Sequence, residues 1–351
     1  MNKIKLGVIF GGMSTENEVS VISGTSILKE LDKEKYELFP IYIDKKGKWY
    51  KYLDNIEESK NKVGDKIEKK EEIENIIKYL QKLDIVFPVL HGLYGEDGTI
   101  QGLLELLKIP YVGCKVLASS IGMDKVYAKI IFKKANINQV KCEYVKKVQD
   151  GYVYVKGNFI EEKLTLEEIC KKISQNIKFP MFIKPSNSGS SVGITKADNE
   201  EGLKESIIYA GKYDNKILIE QEIKGKEVEC AILGNEETIA STVGQIKAAD
   251  KFYSYDAKYN NSESKTVIPA ELSEEKIEEI RKISVKAFKA IDGKGLARVD
   301  FFVEDKTEDV YINEINTLPG FTPISMYPKL FEASGIPYSE LLDKIIELAI
   351  L

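Results

Sequence analysis

"RVDFFVEDKTEDVYINEINTLPGFT", residues 298–322, reads as two strands, "RVDFFV" and "VYINEIN", joined by a polar turn, "EDKTED". Side chains alternate along a strand, so Arg298, Asp300 and Phe302 share one face of the first, and Glu314 and Asn316 one face of the second. Two carboxylates and an amide oxygen then converge. Hard oxygen donors in that number suit Mg2+, which takes only one or two protein carboxylates and completes its shell with water and substrate phosphates. A surface hairpin with scattered acids has the same spacing, so the rest of the chain must decide between them.

An ion that serves a nucleotide calls for a phosphate cradle, and "KPSNSGSSVG", residues 184–193, has the composition of one. Small residues let backbone N–H groups approach phosphate oxygens, and Lys184 adds a point charge on the strand entering the loop. It is not the GxxxxGK[ST] pattern, and alone it reads equally as a hairpin turn. Lys125 in "GMDKVYAK" and Lys258 in "YDAKY" could complete the charge balance, although a lone lysine is more often solvated. Arginine occurs only at Arg281 and Arg298, among 51 lysines and arginines. Placing one two residues before a candidate metal ligand suggests a need for its planar, permanently charged fork. Arg281, in the charged run "EEKIEEIRKI", reads as an ordinary surface residue.

The chain's bulk properties bound the possibilities. At 351 residues it exceeds one small core and is expected to form two or three domains sharing a cleft. A net charge of −5 offers no general attraction to nucleic acid, and no apolar run approaches the roughly 20 residues of a membrane-spanning helix. The four cysteines lie far apart and fit reduced thiols of the cytosol. A single histidine, His91, excludes catalysis by several imidazoles.

Upstream, "KLGVIF", "YELFPIYID", "DIVFPVLHG" and "IPYVG" read as strands, with a helix capped by Ser14 after Gly11-Gly12 and another in "TIQGLLELL". This is the rhythm of a parallel α/β sheet. Residues 54–82, dense in Lys and Glu, read as a solvated helix or insertion. A second region opens near Asp124 and a third at "ILIEQEIKGKEVECAILG". No low-complexity linker separates them, so the domains are expected to pack closely.

In order along the chain, "GGMSTENEVSVISG", "LHGLYGEDGTIQGLLELL", "YVGCKVLASSIGMDK", "IKPSNSGSSVGI", "YDAKY" and "RVDFF...NEINTLPGFT" resemble the D-alanine:D-alanine ligases of the ATP-grasp superfamily. The motifs cover nearly the whole chain. The resemblance implies an α/β (α+β) fold of three domains: an N-terminal parallel α/β substrate-binding domain at 1–114, and central and C-terminal ATP-grasp domains at 115–219 and 220–351. It also implies ATP, two Mg2+ ions with Mn2+ as an alternative, D-alanine as substrate, a homodimer and a cytoplasmic setting.

Carried over residue by residue, the resemblance gives Asp300, Glu314 and Asn316 the metals. Lys125, Lys184, Ser188, Ser190, Ser191 and Val192 would hold the phosphates, with Lys258 reaching the γ-phosphate. Phe182, Glu220, Gln221, Ile223, Glu227 and Phe302 would surround adenine and ribose, with backbone groups of Gln221 and Ile223 reading the base. Arg298 and the Gly320 N–H would stabilise the tetrahedral oxyanion. Glu16, helped by His91 and with Val19 near the methyl group, would take the first D-alanine's ammonium, while Ser325 would take the second's carboxylate. Glu16, Ser190 and Tyr259 would form a hydrogen-bonded triad. An acyl phosphate needs shielding from water, so residues 248–266 are the expected lid.

Read without the family, several of these positions are ordinary: Glu16 is a first-turn helix acid favoured by the dipole, and Gly320 a turn residue after Pro319. D-Serine or D-lactate ligases of the vancomycin-resistance type are the alternative. The Lys258-Tyr259 pair resembles the dipeptide-forming branch more than the D-lactate branch; some D-serine enzymes also keep it, but they tend to place Arg after the serine and Phe in the lid. Here those positions are Met326, Tyr253 and Tyr255, which favours D-alanine. A dinucleotide-binding oxidoreductase is a poorer fit, since "GGMSTE" is not GxGxxG. A non-catalytic nucleotide binder would lack the metal ligands, which are all present.

Overall fold

The computed structural model describes residues 3–58, 64, 67–247 and 265–350. Its first strand, β1 (Ile4–Gly11), is buried from Leu6 onward, as a strand covered on both faces must be. Strands β2 (Tyr36–Ile43) and β5 (Ile85–Val89) run parallel on either side of it. Antiparallel β3 (Trp49–Tyr52) and β4 (Lys70–Glu72) extend the sheet to the order β4-β3-β2-β1-β5. The charged 54–82 tract thus differs from its expectation, because part of it is a sheet edge. Strand β4 is exposed throughout, and its Lys and Glu side chains suit an edge that must not recruit another strand. Short helix α2 (Ile76–Leu80) follows, anchored by buried Leu80.

Two further details differ from the sequence reading. "IPYVG" forms a single parallel bridge, Tyr111 to Val86, and no strand; Pro110, lacking an N–H, contributes only its carbonyl there. Helix α1 (Asn17–Glu30) begins later than a Ser14 cap implies. Gly11 and Gly12, at φ 92° and 98°, put Ser14 in the turn instead, where its hydroxyl donates to His91 O (2.6 Å) and accepts the Glu16 N–H (3.1 Å). Helix α3 (Thr99–Leu107) forms as expected.

The second sheet is antiparallel, in the order β10-β9-β11-β6-β7-β8. It comprises β6 (Cys142–Val148), β7 (Gly151–Val155), β8 (Glu161–Lys163), β9 (Met181–Pro185), β10 (Thr195–Ala197) and β11 (Lys216–Gln221). Helices α6 (Leu166–Asn176) and α7 (Glu200–Ala210) cover one face, α6 opened by a capping box between Thr165 and Glu168. Helices α4 (Val116–Met123) and α5 (Lys125–Lys134) precede this sheet in the chain, yet Ala118, Ala128 and Phe132 are buried in the core of the third sheet.

That third sheet is antiparallel in the order β14-β13-β12-β15-β16, built from β12 (Gly225–Gly234), β13 (Thr238–Lys247), β14 (Lys265–Val267), β15 (Leu296–Glu304) and β16 (Val310–Asn316). The chain enters it from the second sheet between Gln221 and Gly225. Helix α8 (Glu274–Ala290) packs on it, held by Arg281, which donates to Ala240 O and Ser241 O and so ties helix to strand as well as meeting solvent. Helices α9 (Met326–Ala333) and α10 (Tyr338–Ile350) join the first sheet to the third through one apolar cluster that includes Phe87, Leu233, Phe321 and Ile345. The cleft between the sheets therefore has fused walls on one side. No helix among the described residues is long and apolar enough to cross a membrane.

Candidate active site

Register sets where the candidate metal ligands stand. On β15 and β16, Arg298 lies opposite Asn316 and Asp300 opposite Glu314, with an irregularity just after Asp300. Arg298 grips Asp300 with two 2.7 Å bonds, from Nε to Oδ1 and from Nη2 to Oδ2, and its Nε lies 3.0 Å from Glu229 Oε2 on β12. Burial works against the guanidinium charge, but Asp300 and Glu229 outweigh it and raise the Arg298 pKa well above its ordinary value. Asn316 Nδ2 donates to Asp300 Oδ2 at 3.0 Å. Among the described residues no three His, Cys, Asp or Glu side chains gather as a metal cluster. The donors here are two carboxylates plus an amide, a hard oxygen set that fits a Mg2+ ion sharing its shell with phosphate and water.

Facing this pair is the loop after β9. Ser190, Ser191 and Gly193 have φ of 48°, 60° and 78°, left-handed backbone of the kind from which anion-binding concavities are built. Ser188 Oγ braces the loop by donating to Val192 O (2.8 Å). Lys125 starts α5 and reaches Ser188 O (2.8 Å) and Glu314 Oε2 (3.3 Å), bridging loop and hairpin. Its anchor is Asp124, the α5 N-cap, which accepts from Val126 N, Tyr127 N and Ser186 Oγ and pairs with Lys216. Lys184 lies 2.6 Å from Glu220 Oε2 and donates to Asn313 Oδ1 at 3.2 Å.

The third wall comes from the first sheet. Ser190 Oγ donates to Glu16 Oε1. A Cβ at either Gly92 or Gly189 would stand 2.4 Å from Glu16 Oε2, so the carboxylate occupies a notch that only glycines leave open. His91 is buried, with Nε2 2.9 Å from Ser23 Oγ and Nδ1 3.7 Å from Glu96 Oε1. Ser23 Oγ also accepts the Phe321 N–H at 3.2 Å, linking His91 to the "LPGFT" turn. Ser325 Oγ accepts the Thr322 N–H at 3.0 Å, and a Cβ on Gly320 would lie 2.7 Å from it.

These walls enclose a cleft of about 770 Å3. It brings together Glu16, His91, Lys125, Phe182, Lys184, Ser188, Ser190, Ser191, Glu220, Gln221, Ile223, Glu227, Arg298, Asp300, Phe302, Glu314, Asn316, Gly320, Ser325 and Met326. Val19 and Val192 do not line it: Val19 is buried in α1, and the Val192 N–H is bonded to Gly189 O. The Gln221 N–H is likewise taken, by Lys141 O. Lys258, Tyr259, Tyr253 and Tyr255 lie outside the described residues, as does the 248–266 segment apart from its last two positions.

Sequence reasoning missed Glu229, Asn313 and Lys129. Glu229 shares the strand face of Glu227, so alternation in "KEVEC" could have found it. Lys129 follows Lys125 by four residues on one helix face, a signal indistinguishable from a solvated lysine pair.

Residues 5–114 match the family described as D-ala D-ala ligase N-terminus, and residues 131–347 match D-ala D-ala ligase C-terminus. A D-alanine–D-alanine ligase from Acetivibrio thermocellus is 50% identical over 99% of this chain and 96% of its own length. Among solved structures, the VanG D-Ala:D-Ser ligase from Enterococcus faecalis is similar with a TM-score of 0.82 and 36% identity, covering 99% of this chain and 100% of that one. The D-alanine–D-alanine ligase from Coxiella burnetii gives 0.81 and 33%, covering 100% of this chain and 94% of that one.

Proposed function

The chain belongs to the D-ala D-ala ligase family, and on that premise we propose the part each cleft residue plays. It joins two D-alanines into D-alanyl-D-alanine, a carbon–nitrogen ligation driven by ATP that supplies peptidoglycan synthesis. The proposed route has the carboxylate of one D-alanine attack the γ-phosphorus, releasing ADP and forming an acyl phosphate. The amine of the second D-alanine then attacks the acyl carbon, phosphate leaves, and the amine loses its proton. The first step asks mainly for positioning and charge neutralisation.

Asp300, Glu314 and Asn316 would hold Mg2+, as two ions, with Mn2+ able to replace them. Bound there, the metal neutralises phosphate charge. Lys125 and Lys184 hold the phosphates from the opposite wall, with Ser188, Ser190 and Ser191, and Val192 contributes only by shaping the loop. Phe182, Glu220, Gln221, Ile223, Glu227 and Phe302 form the nucleoside wall. Arg298 spends two of its five N–H groups on Asp300 and keeps others for the oxyanion, alongside the Gly320 N–H. Glu16 and His91 receive the first ammonium, with Val19 behind them, and Ser325 the second carboxylate. Met326 beside it is buried and apolar, an environment for a methyl group rather than a hydroxyl.

Lys258 and Tyr259, the 248–266 lid, the division at 1–114, 115–219 and 220–351, a homodimer and a cytoplasmic setting complete the proposal. Its strongest support is that one cleft gathers the Asp300–Glu314 register pair, two lysines and the Glu16–Ser190 contact. Product masses after incubation with ATP, Mg2+ and an equal mixture of D-alanine, D-serine and D-lactate test it. D-Alanyl-D-alanine should dominate; a predominance of either mixed product would overturn the acceptor assignment.

A further inference from the structure

Behind the cleft wall, α5 lies along the face of the second sheet that carries Phe182 and Lys184 on β9 and Leu218 and Glu220 on β11. Lys129, one helical turn after Lys125, is only 4% exposed and does not line the cleft. Its Nζ is 2.6 Å from Glu220 Oε1. The other oxygen of the same carboxylate is 2.6 Å from Lys184 Nζ, and both Lys184 and Glu220 do face the cleft. One buried acid therefore serves two ammonium groups, one from the front and one from behind.

That arrangement bears on how Lys184 can reach an anion. A single Glu220–Lys184 pair would be neutral, and drawing Lys184 away toward a phosphate would strand a carboxylate in a site of low dielectric. With a second ammonium behind it, Glu220 keeps a partner when the first one leaves. We propose that Lys129 is a positioning residue for nucleotide binding: it neutralises Glu220 from behind, so that Lys184 is released to the phosphates and the wall retains net positive charge. This rests on the reading of Lys184 as a phosphate ligand. The burial of Lys184 works against its charge, but Glu220 raises its pKa, which keeps the mobile partner cationic.

Steady-state kinetics on variants of the full chain test the idea. Lys129→Met should raise KM for ATP by about tenfold or more, while KM for D-alanine and kcat at saturating ATP change by less than about threefold. Lys129→Arg, which restores the cation, should return KM for ATP toward the parent value. In Lys129→Met/Glu220→Gln no acid is left to retain Lys184, so KM for ATP should match that of Glu220→Gln alone. The double variant carries the test even where Lys129→Met by itself fails to fold. An unchanged KM for ATP in Lys129→Met overturns the inference, as does a double variant that shows the full Lys129→Met effect on top of Glu220→Gln. Lys184→Met separates the two layers: an unchanged KM for ATP there removes Lys184 from the phosphates, whereas a rise there without one in Lys129→Met removes only the role of Lys129.

Discussion

The hydroxyl of Ser190 donates a hydrogen bond to the carboxylate of Glu16 across 174 positions of sequence. Ser190 belongs to the loop after β9 and Glu16 stands at the head of α1, so the bond ties that loop to the first sheet's wall of the cleft. A hydrogen bond to a charged group contributes about 1.5–3 kcal/mol. Ser190→Ala should therefore lower kcat/KM for D-alanine by about ten- to a hundredfold. Spread over a chain of this length, the same loss should lower the melting temperature by only about 2–4 °C. An unaltered kcat/KM would make the contact incidental.

Gly189 shows how tightly that carboxylate is held. A methyl group at this position would meet Glu16 Oε2 at 2.4 Å, as would one at Gly92, and Glu16 is itself 8% exposed. The side chain has little room to retreat without giving up Ser190. Gly189→Ala should accordingly leave folding intact and lower kcat/KM for D-alanine by about tenfold or more, measured beside a thermal melt. Full activity in a folded variant would show that the notch is looser than it looks.

The hairpin pair predicts a sharper loss. Asp300→Ala removes a candidate metal ligand and also the bidentate partner of Arg298, while Glu314→Ala removes a ligand and the partner of Lys125. Phosphate release dependent on both ATP and D-alanine should fall by roughly a thousandfold in each, and raising Mg2+ should not restore it. Substantial turnover in either variant would falsify the ligand assignment.

The hairpin was legible from sequence because a period of two fixes which side chains share a face, and the register then could differ little once the turn was placed. The Gly/Ser loop was legible as a tight turn, since small residues accommodate the left-handed backbone found at Ser190, Ser191 and Gly193. The start of α1 was not. Ser14 has the chemistry of a cap, but two preceding left-handed glycines redirect the chain, and dihedral angles are invisible to composition. Nor was Lys129 legible, because its burial depends on α5 lying against β11, a tertiary contact with no local signature.

Glu220 gives a pH prediction whose sign follows from its surroundings. Burial opposes its charge, but Lys129 and Lys184 outweigh it and bring the pKa from its ordinary 4.5 to about 2. A carboxylate depressed on folding contributes stability that is complete above the unfolded pKa and disappears as pH falls through the folded one. The stability gap between the parent protein and Glu220→Gln should be constant above about pH 5 and shrink as pH drops from about 4.5 toward 2. Urea unfolding of both proteins at a series of pH values measures it. A gap independent of pH across that window would mean Glu220 is not held as a carboxylate by the two lysines.

Asp124 ties together more of the local architecture than a helix cap alone would. Its Oδ1 accepts the N–H groups of Val126 and Tyr127, both at 3.1 Å, and the Ser186 hydroxyl at 2.6 Å; its Oδ2 pairs with Lys216. The same carboxylate thus caps α5, fixes the root of the loop after β9 and neutralises a partly buried lysine, which together set where Lys125 emerges. Asp124→Ala loses all of these and leaves Lys216 without its counter-ion, a change expected to cost about 3 kcal/mol or more. Asp124→Asn keeps an oxygen for the cap and a similar shape but no charge, so it should be milder and fail mainly at Lys216. Chemical denaturation should rank the parent above Asp124→Asn and Asp124→Ala last, with KM for ATP rising in the same order as Lys125 loses its fixed origin. Equal stability of the two variants would place the whole effect in the ion pair, and an unchanged KM would uncouple the cap from the proposed phosphate site.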